Sequence, residues 1–263
     1  MTAYPPVVPS SPRAHLILPV LLATLLAAQA LPEAQPPAIA TVSVGATVVT
    51  IRGSERDEAV GEQIRRVLPD AIRAASRWGS LPAAVVLTVH ATHGELESAT
   101  RRGGNPWMRA WARIGAVDLQ SPRTWSRGFA TDDSLRQILA HELTHCALFV
   151  ATGRDVRARE IPLWFLEGMA SVAAGEHHDA VHADAVRAPG PMLRVDPRLV
   201  YGTADRAFRE LLDRAGVDAV RRIVARLGDG LAFPVAFRDA VGVPLADFEG
   251  DLVGRLSALA VNR

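Results

Sequence analysis

The sequence predicts an α+β fold, in which a mixed lobe of strands and helices is followed by a mostly helical lobe. From Thr41 to about Gln120 the hydrophobic periodicity changes repeatedly, which indicates alternating strands and helices. Beyond Val200, helical segments are separated by single glycines. Between these parts, a long apolar run contains three ionisable side chains, His141, Glu142 and His145.

The mixed lobe is assigned to residues 41–130, and the helices of the central apolar part together with the helical lobe to residues 131–263. Within the first lobe, the patterns predict a strand from Thr41 to Ile51, a helix from Arg56 to Trp78, a strand from Ala83 to Ala91, a short helix from Glu95 to Arg102 and a strand from Arg113 to Leu119. Within the second, helices are predicted for Val200 to Ala215, Val217 to Leu227, Phe233 to Ala240 and Pro244 to Ala260.

The central apolar run predicts a buried helix that begins after Thr131, a suitable N-cap, and ends near Gly153. On a helix, His141 and His145 lie about 40° apart on one face and roughly 6 Å apart along the axis. This H-E-x-x-H spacing lets two histidines bind one Zn²⁺ while Glu142 takes a proton from water that the zinc activates. Two core histidines with carbonyl partners are the alternative, but they leave a buried carboxylate unexplained.

A third ligand is expected because catalytic zinc usually has three protein ligands and one open position. Glu167 is the candidate, since it interrupts a second apolar helical run that follows Pro162. A solvent-facing glutamate is the alternative, and the apolar neighbours of Glu167 disfavour it.

The two motifs, HELTH and WFLEGMAS about twenty residues later, resemble the gluzincin metallopeptidases, the clan of thermolysin and the zinc aminopeptidases, and most closely small peptidase MA-like domains. The resemblance covers roughly Ala112 to the C-terminus. It implies a gluzincin/thermolysin-like fold, one zinc held by His141, His145 and Glu167, and Glu142 as general base. It also implies that the strand at Arg113 to Leu119 is a sheet edge that pairs with substrate.

Two departures from the family pattern refine the expected activity. Thermolysin-type enzymes carry an aspartate four residues after the glutamate ligand, where this chain has Ser171, a hydroxyl that could support a ligand. The Gly-x-Met-Glu-Asn segment of the zinc aminopeptidases has no counterpart here, which favours an endopeptidase.

Tyr201 is the candidate for a second contact to the oxyanion. It is the one tyrosine that remains after removal of the N-terminal segment, and it begins the first helix of the helical lobe. A tyrosine or histidine from this lobe usually supplies the donor in zinc peptidases of this kind. A boundary tyrosine with a buried ring and a solvated hydroxyl is the alternative.

A polar run follows Gly175 and contains Glu176, His177, His178, Asp179, His182 and Asp184. Such residues can build a second metal site, but a solvated loop is the more usual outcome of this composition. Cys146 rules out an internal disulfide because it is the single cysteine, and it is interpreted as a small buried residue.

Residues 1–30 are interpreted as a signal peptide with cleavage after Ala30, and residues 31–40 as a linker. The apolar run from Leu16 to Ala28 is short for a membrane span, although an uncleaved N-terminal anchor is the alternative. The expected location is therefore secreted or periplasmic.

The charge pattern argues against a nucleic-acid partner. The chain has 29 basic and 28 acidic residues, and every basic residue counted there is arginine, without a basic stripe or tail. The sequence therefore predicts a secreted zinc endopeptidase whose partner is a peptide or protein substrate. The alternative is a non-catalytic, zinc-stabilised module that binds a peptide or an envelope partner.

Overall fold

A five-stranded mixed sheet forms the first part of the structure. The computed structural model describes residues 35–126, 130–153, 160–178, 181–187 and 197–261. The strands are β1 (Ala38–Val44), β2 (Thr47–Arg52), β3 (Ala84–His90), β4 (Ala110–Arg113) and β5 (Ala116–Gln120). Their order across the sheet is β1-β2-β3-β5-β4, with β2, β3 and β5 parallel and the two edge strands antiparallel to their neighbours.

Seven α-helices accompany the sheet in the described part of the chain: α1 (Glu58–Ala75), α2 (His93–Thr100), α3 (Asp132–Thr152), α4 (Leu163–Ala174), α5 (Pro197–Gly228), α6 (Phe233–Val241) and α7 (Leu245–Val261). The mixed sheet with a larger share of helix agrees with the α+β class that the sequence predicts. No described helix is both long enough and apolar enough to cross a membrane.

One face of the sheet forms a core with α1 and α3. Alternate strand residues such as Val49, Ile51 and Leu87 are fully buried on this face, because successive side chains of a strand point to opposite sides. The apolar face of α1 packs against them through Ile64 and Leu68. Because α3 contacts both α1 and α4, it joins the core on the sheet to the core of the helical part.

Two predicted strands are hairpins instead. The Thr41 to Ile51 pattern belongs to β1 and β2, which are joined by a two-residue turn after Val44, and residues 38–40 of the expected linker begin β1. The Arg113 to Leu119 pattern contains the end of β4 and most of β5, with Gly115 at φ 66° in the turn. A two-residue turn keeps the alternation in register, so polarity alone does not reveal it.

The edge of the sheet is therefore β4, and not β5, which lies between β3 and β4. Gln120 N–H donates to Arg109 C=O at 2.8 Å, so these two residues form a hydrogen-bonded pair of the antiparallel ladder. Because hydrogen-bonded and non-bonded pairs alternate, the N–H and C=O groups of Ala110 and Ala112 face away from β5.

The helical part is built on the contact between α4 and α5. At Gly168 an added Cβ would lie 2.2 Å from the carbonyl oxygen of Ala204, so only glycine allows the two helices to approach this closely. Phe165 and Phe208 pack beside this contact with ring centroids 5.4 Å apart. Gly216 interrupts α5 at φ 77°, which confirms the predicted boundary between two helical segments.

Candidate metal centre

The central apolar helix of the sequence is α3, which carries His141, Glu142 and His145. The two histidines face Glu167 on α4. Thr131 caps α3, since its Oγ accepts a hydrogen bond from Ser134 N–H at 3.1 Å. The rings of His141 and His145 have centroids 5.0 Å apart. Both imidazoles are largely removed from solvent, because their side chains are 9% and 12% exposed.

Glu167 is brought to these histidines by α4. Its Oε2 lies 3.3 Å from His141 Nε2 and 3.6 Å from His145 Nε2. Burial raises the pKa of Glu167, but His145 and His141 outweigh burial and lower the pKa to about 2. The carboxylate is therefore ionised, and its Oε2 lies close to both imidazoles.

The three side chains could hold a metal ion. Their donor atoms all lie within 4.8 Å of one another. Tetrahedral zinc with bonds of about 2.0–2.2 Å separates its ligand atoms by about 3.3–3.6 Å, the range of the two contacts to Glu167. Two imidazoles with one carboxylate are also a donor set that zinc takes in catalytic sites. The residues present therefore fit zinc.

Glu142 lies beside this group, half-buried on the same helix. Burial raises the pKa of its carboxyl, while His141 and His145 act in the opposite direction, and the net shift is upward. The backbone N–H of Ala112 on the edge strand β4 lies close enough to this carboxyl to act weakly against the upward shift of its pKa. A carboxylate with a raised pKa accepts a proton more readily, as a general base must.

Glu176 is the residue of the site that the sequence interpretation missed. It directly follows the C-cap of α4, and its carboxylate lies 3.2 Å from His141 Nδ1, on the side of the ring opposite Glu167. Burial raises the pKa of Glu176, but His141, His178 and Ser171 outweigh it and hold the pKa well below its usual range. An acid immediately after a helix-ending glycine was the available signal, but its polar neighbours made it look like a loop residue.

Ser171, expected to support a ligand, is fully buried one turn after Glu167. Its hydroxyl makes no well-aligned hydrogen bond, yet it lies close enough to the Glu176 carboxylate to lower the pKa of that group. Its carbonyl accepts a hydrogen bond from Glu176 N–H at 3.0 Å, and Arg209 Nη2 donates to Glu176 C=O at 3.2 Å. These contacts fix Glu176 at the end of α4.

The histidines after Gly175 separate into different environments. His177 is exposed, whereas His178 contacts Glu176 Oε2 at 3.1 Å. The backbone N–H of His182 donates to Thr203 Oγ1 at 2.9 Å. Asp179 and the side chain of Asp184 lie outside the described residues. Within the described ranges, only His141, His145 and Glu167 form a group of metal-binding donors, so the second site is not seen there.

Tyr201 lies in the first turns of α5 next to the candidate ligands. Its ring centroid is 6.0 Å from that of His141, and it stacks on the ring of His178 at 6.0 Å. Burial, followed by the charges of Glu167, Glu142 and Glu176, raises the pKa of Tyr201 well above its usual value. The phenol therefore keeps its proton and remains a hydrogen-bond donor.

Cys146 is separate from the chemistry of the site. It is fully buried, and its thiol donates to the carbonyl oxygen of Arg113 at 3.3 Å. Burial and the charge of Glu142 raise the pKa of Cys146 to about 12, which keeps the thiol protonated and unreactive. The interpretation of Cys146 as a buried core residue is confirmed.

Comparison with known proteins finds only distant structural likeness. No protein-family model matches the chain, and no curated protein matches it. An M1 zinc metallopeptidase from Deinococcus radiodurans (E323A mutant) superposes with a TM-score of 0.43 at 16% identity, over 81% of this chain and 49% of that one. A two-domain M1 zinc metallopeptidase bound to L-arginine gives 0.38 at 12% identity, over 82% and 50%. This chain spans about half the length of these structures, and the likeness assigns it to no family.

Proposed function

We propose that this chain is an exported zinc metallopeptidase of gluzincin type that cleaves internal peptide bonds. The observation that carries the proposal is the convergence of the donor atoms of His141, His145 and Glu167. Glu142 lies next to His141 on the same helix. The endopeptidase assignment and export rest on the sequence alone. The N-terminal segment on which export depends lies outside the described residues.

The roles of the side chains follow from their positions. Zinc, when bound, polarises the scissile carbonyl and increases the acidity of water. Glu142 accepts the proton of the attacking water and passes it to the leaving amine, a task suited to its raised pKa. Glu176 accepts from His141 Nδ1–H, which directs Nε2 of that ring at the metal position.

The edge strand β4 is suited to hold the substrate backbone. The outward N–H of Ala110 and the outward C=O groups of Ala110 and Ala112 can pair with an extended peptide without recognising its side chains. Because the backbone N–H of Ala112 is close to Glu142, a peptide on this edge lies next to the proposed base. This arrangement supports cleavage within a chain over recognition of a free terminus.

An unbiased peptide library tests the proposal. The exported protein is expected to begin at Leu31, which its intact mass checks. It is loaded with zinc and incubated with blocked peptides. Cleavage of internal bonds that stops after chelation and returns with zinc is the expected result. Zinc binding without any cleavage would contradict the proposal and favour the non-catalytic binding module.

Tyr201→Phe tests the oxyanion contact. The substitution keeps the ring that packs on His178 and removes only the donor, so zinc content and thermal stability should be unchanged. We expect kcat to fall by about 10²- to 10³-fold, the scale for loss of one oxyanion donor. Steady-state kinetics on one cleaved peptide measure it. A variant with unchanged kcat would remove Tyr201 from the chemistry.

A further inference from the structure

Trp107 is an unusually exposed aromatic side chain. It is 45% exposed, and the other large hydrophobic side chains that remain exposed in the described part of the chain are valines and one isoleucine. Its loop is nevertheless held in place. The next residue, Met108, is buried, and Asn105 N–H donates to Glu97 Oε1 at 2.9 Å. An indole that is fixed and exposed retains apolar surface that a ligand can cover.

The position of Trp107 connects it to the metal centre. Two residues separate it from the edge strand β4, and its ring contacts the ring of Tyr201 at a centroid distance of 5.9 Å and an angle of 70°. Since Tyr201 is itself 6.0 Å from His141, the indole lies at most about 12 Å from the ring of that candidate ligand. In an extended peptide at about 3.3 Å per residue, this distance corresponds to three or four residues.

The chemistry around Trp107 selects an uncharged partner. The charged side chains of its loop are arginines, among them Arg102 and Arg109, which disfavour a cationic ligand. The carboxylates of Glu142, Glu167 and Glu176, whose charges act on the neighbouring Tyr201, disfavour an acidic ligand. An apolar or aromatic side chain loses water from both surfaces when it packs on the indole, and this burial is favourable.

We infer that Trp107 forms a specificity subsite for an apolar or aromatic side chain of the peptide, within about three or four residues of the bond that is cleaved. The inference rests on the proposed peptidase function and adds the class of side chain that this function selects. Trp107 contacts substrate in this scheme and takes no part in proton transfer.

Substrate selectivity is the first test. With the blocked peptide library, the native chain should favour a large apolar residue at one position near the cleaved bond. The preference is the ratio of kcat/KM for that peptide to kcat/KM for the same peptide with alanine at this position. Trp107→Ala should lower this ratio by about 10- to 100-fold, while Trp107→Phe should retain most of it. Ile114→Ala is the matched control, because Ile114 is equally exposed, at 47%, beyond the other end of β4.

Binding without turnover is the second test. In zinc-loaded Glu142→Gln protein, the blocked hexapeptide Ala-Ala-Phe-Leu-Ala-Ala should reduce acrylamide quenching of tryptophan fluorescence, and hexa-alanine should not. Trp78, Trp125 and Trp164 are buried, and Trp111 on β4 is half-buried. The difference in protection between the two peptides should therefore be lost when Trp107→Phe is added, and the signal that remains from Trp111 gives the baseline.

The two tests separate the two proposals. Cleavage with the same selectivity in native and Trp107→Ala protein, and no protection from quenching, would overturn the subsite while leaving the peptidase intact. Protection of Trp107 without cleavage of any peptide would support the subsite and overturn the peptidase function.

Discussion

Replacement of Glu142 by glutamine should lower kcat/KM for any cleaved peptide by about 10²- to 10⁴-fold, the range for loss of a general base. The amide cannot accept the proton of the attacking water, although it has almost the same size as the carboxylate and retains one acceptor oxygen. The measurement is steady-state kinetics with zinc content determined in the same samples.

The fold and the metal should survive this substitution. Glu142 is not among the three side chains whose donor atoms converge, so Glu142→Gln should bind the same amount of zinc as the native protein. Its buried carboxylate is also desolvated, so the neutral amide should not destabilise the helix strongly. Full activity in a zinc-loaded Glu142→Gln preparation would exclude Glu142 as the base.

Replacement of Glu167 by alanine should remove most of the bound zinc. About one equivalent per native chain is expected for a site of three protein ligands. Without Glu167, the two histidines of α3 remain as donors, and the site loses its negatively charged donor, whose Oε2 lies 3.3 and 3.6 Å from their Nε2 atoms. Metal analysis after dialysis, followed by titration with a zinc chelator of known affinity, measures the loss.

Two further variants give this experiment a graded control. Glu176→Gln weakens the contact to His141 Nδ1 without removing a ligand, so zinc affinity should fall by about 10- to 100-fold. His177→Ala should have no effect, because His177 is exposed and lies outside the convergent group. Zinc loss in His177→Ala with retention in Glu167→Ala would show that the metal is held by the loop after α4.

The helices that carry the candidate ligands could be predicted from the sequence because the signals that define them are local. Thr131 as N-cap, the apolar positions of α3 and Pro162 before α4 act within one or two turns, and helix periodicity then fixes where His141 and His145 point. The hairpins were harder to predict. A two-residue turn leaves the alternation of polarity unchanged, so β4 and β5 read as one strand, and the sheet edge was placed on the wrong segment.

The sequence by itself determined that three ionisable side chains lie on one buried helix and that a fourth interrupts a second apolar helix. Only the tertiary structure decided which partners surround them. Glu176 reaches His141 because α4 ends beside α3, and Trp107 reaches Tyr201 because the loop before β4 meets the first turns of α5. Such contacts join residues far apart in sequence, and they depend on close packing between elements, such as the approach of α4 to α5 at Gly168, which no local pattern encodes.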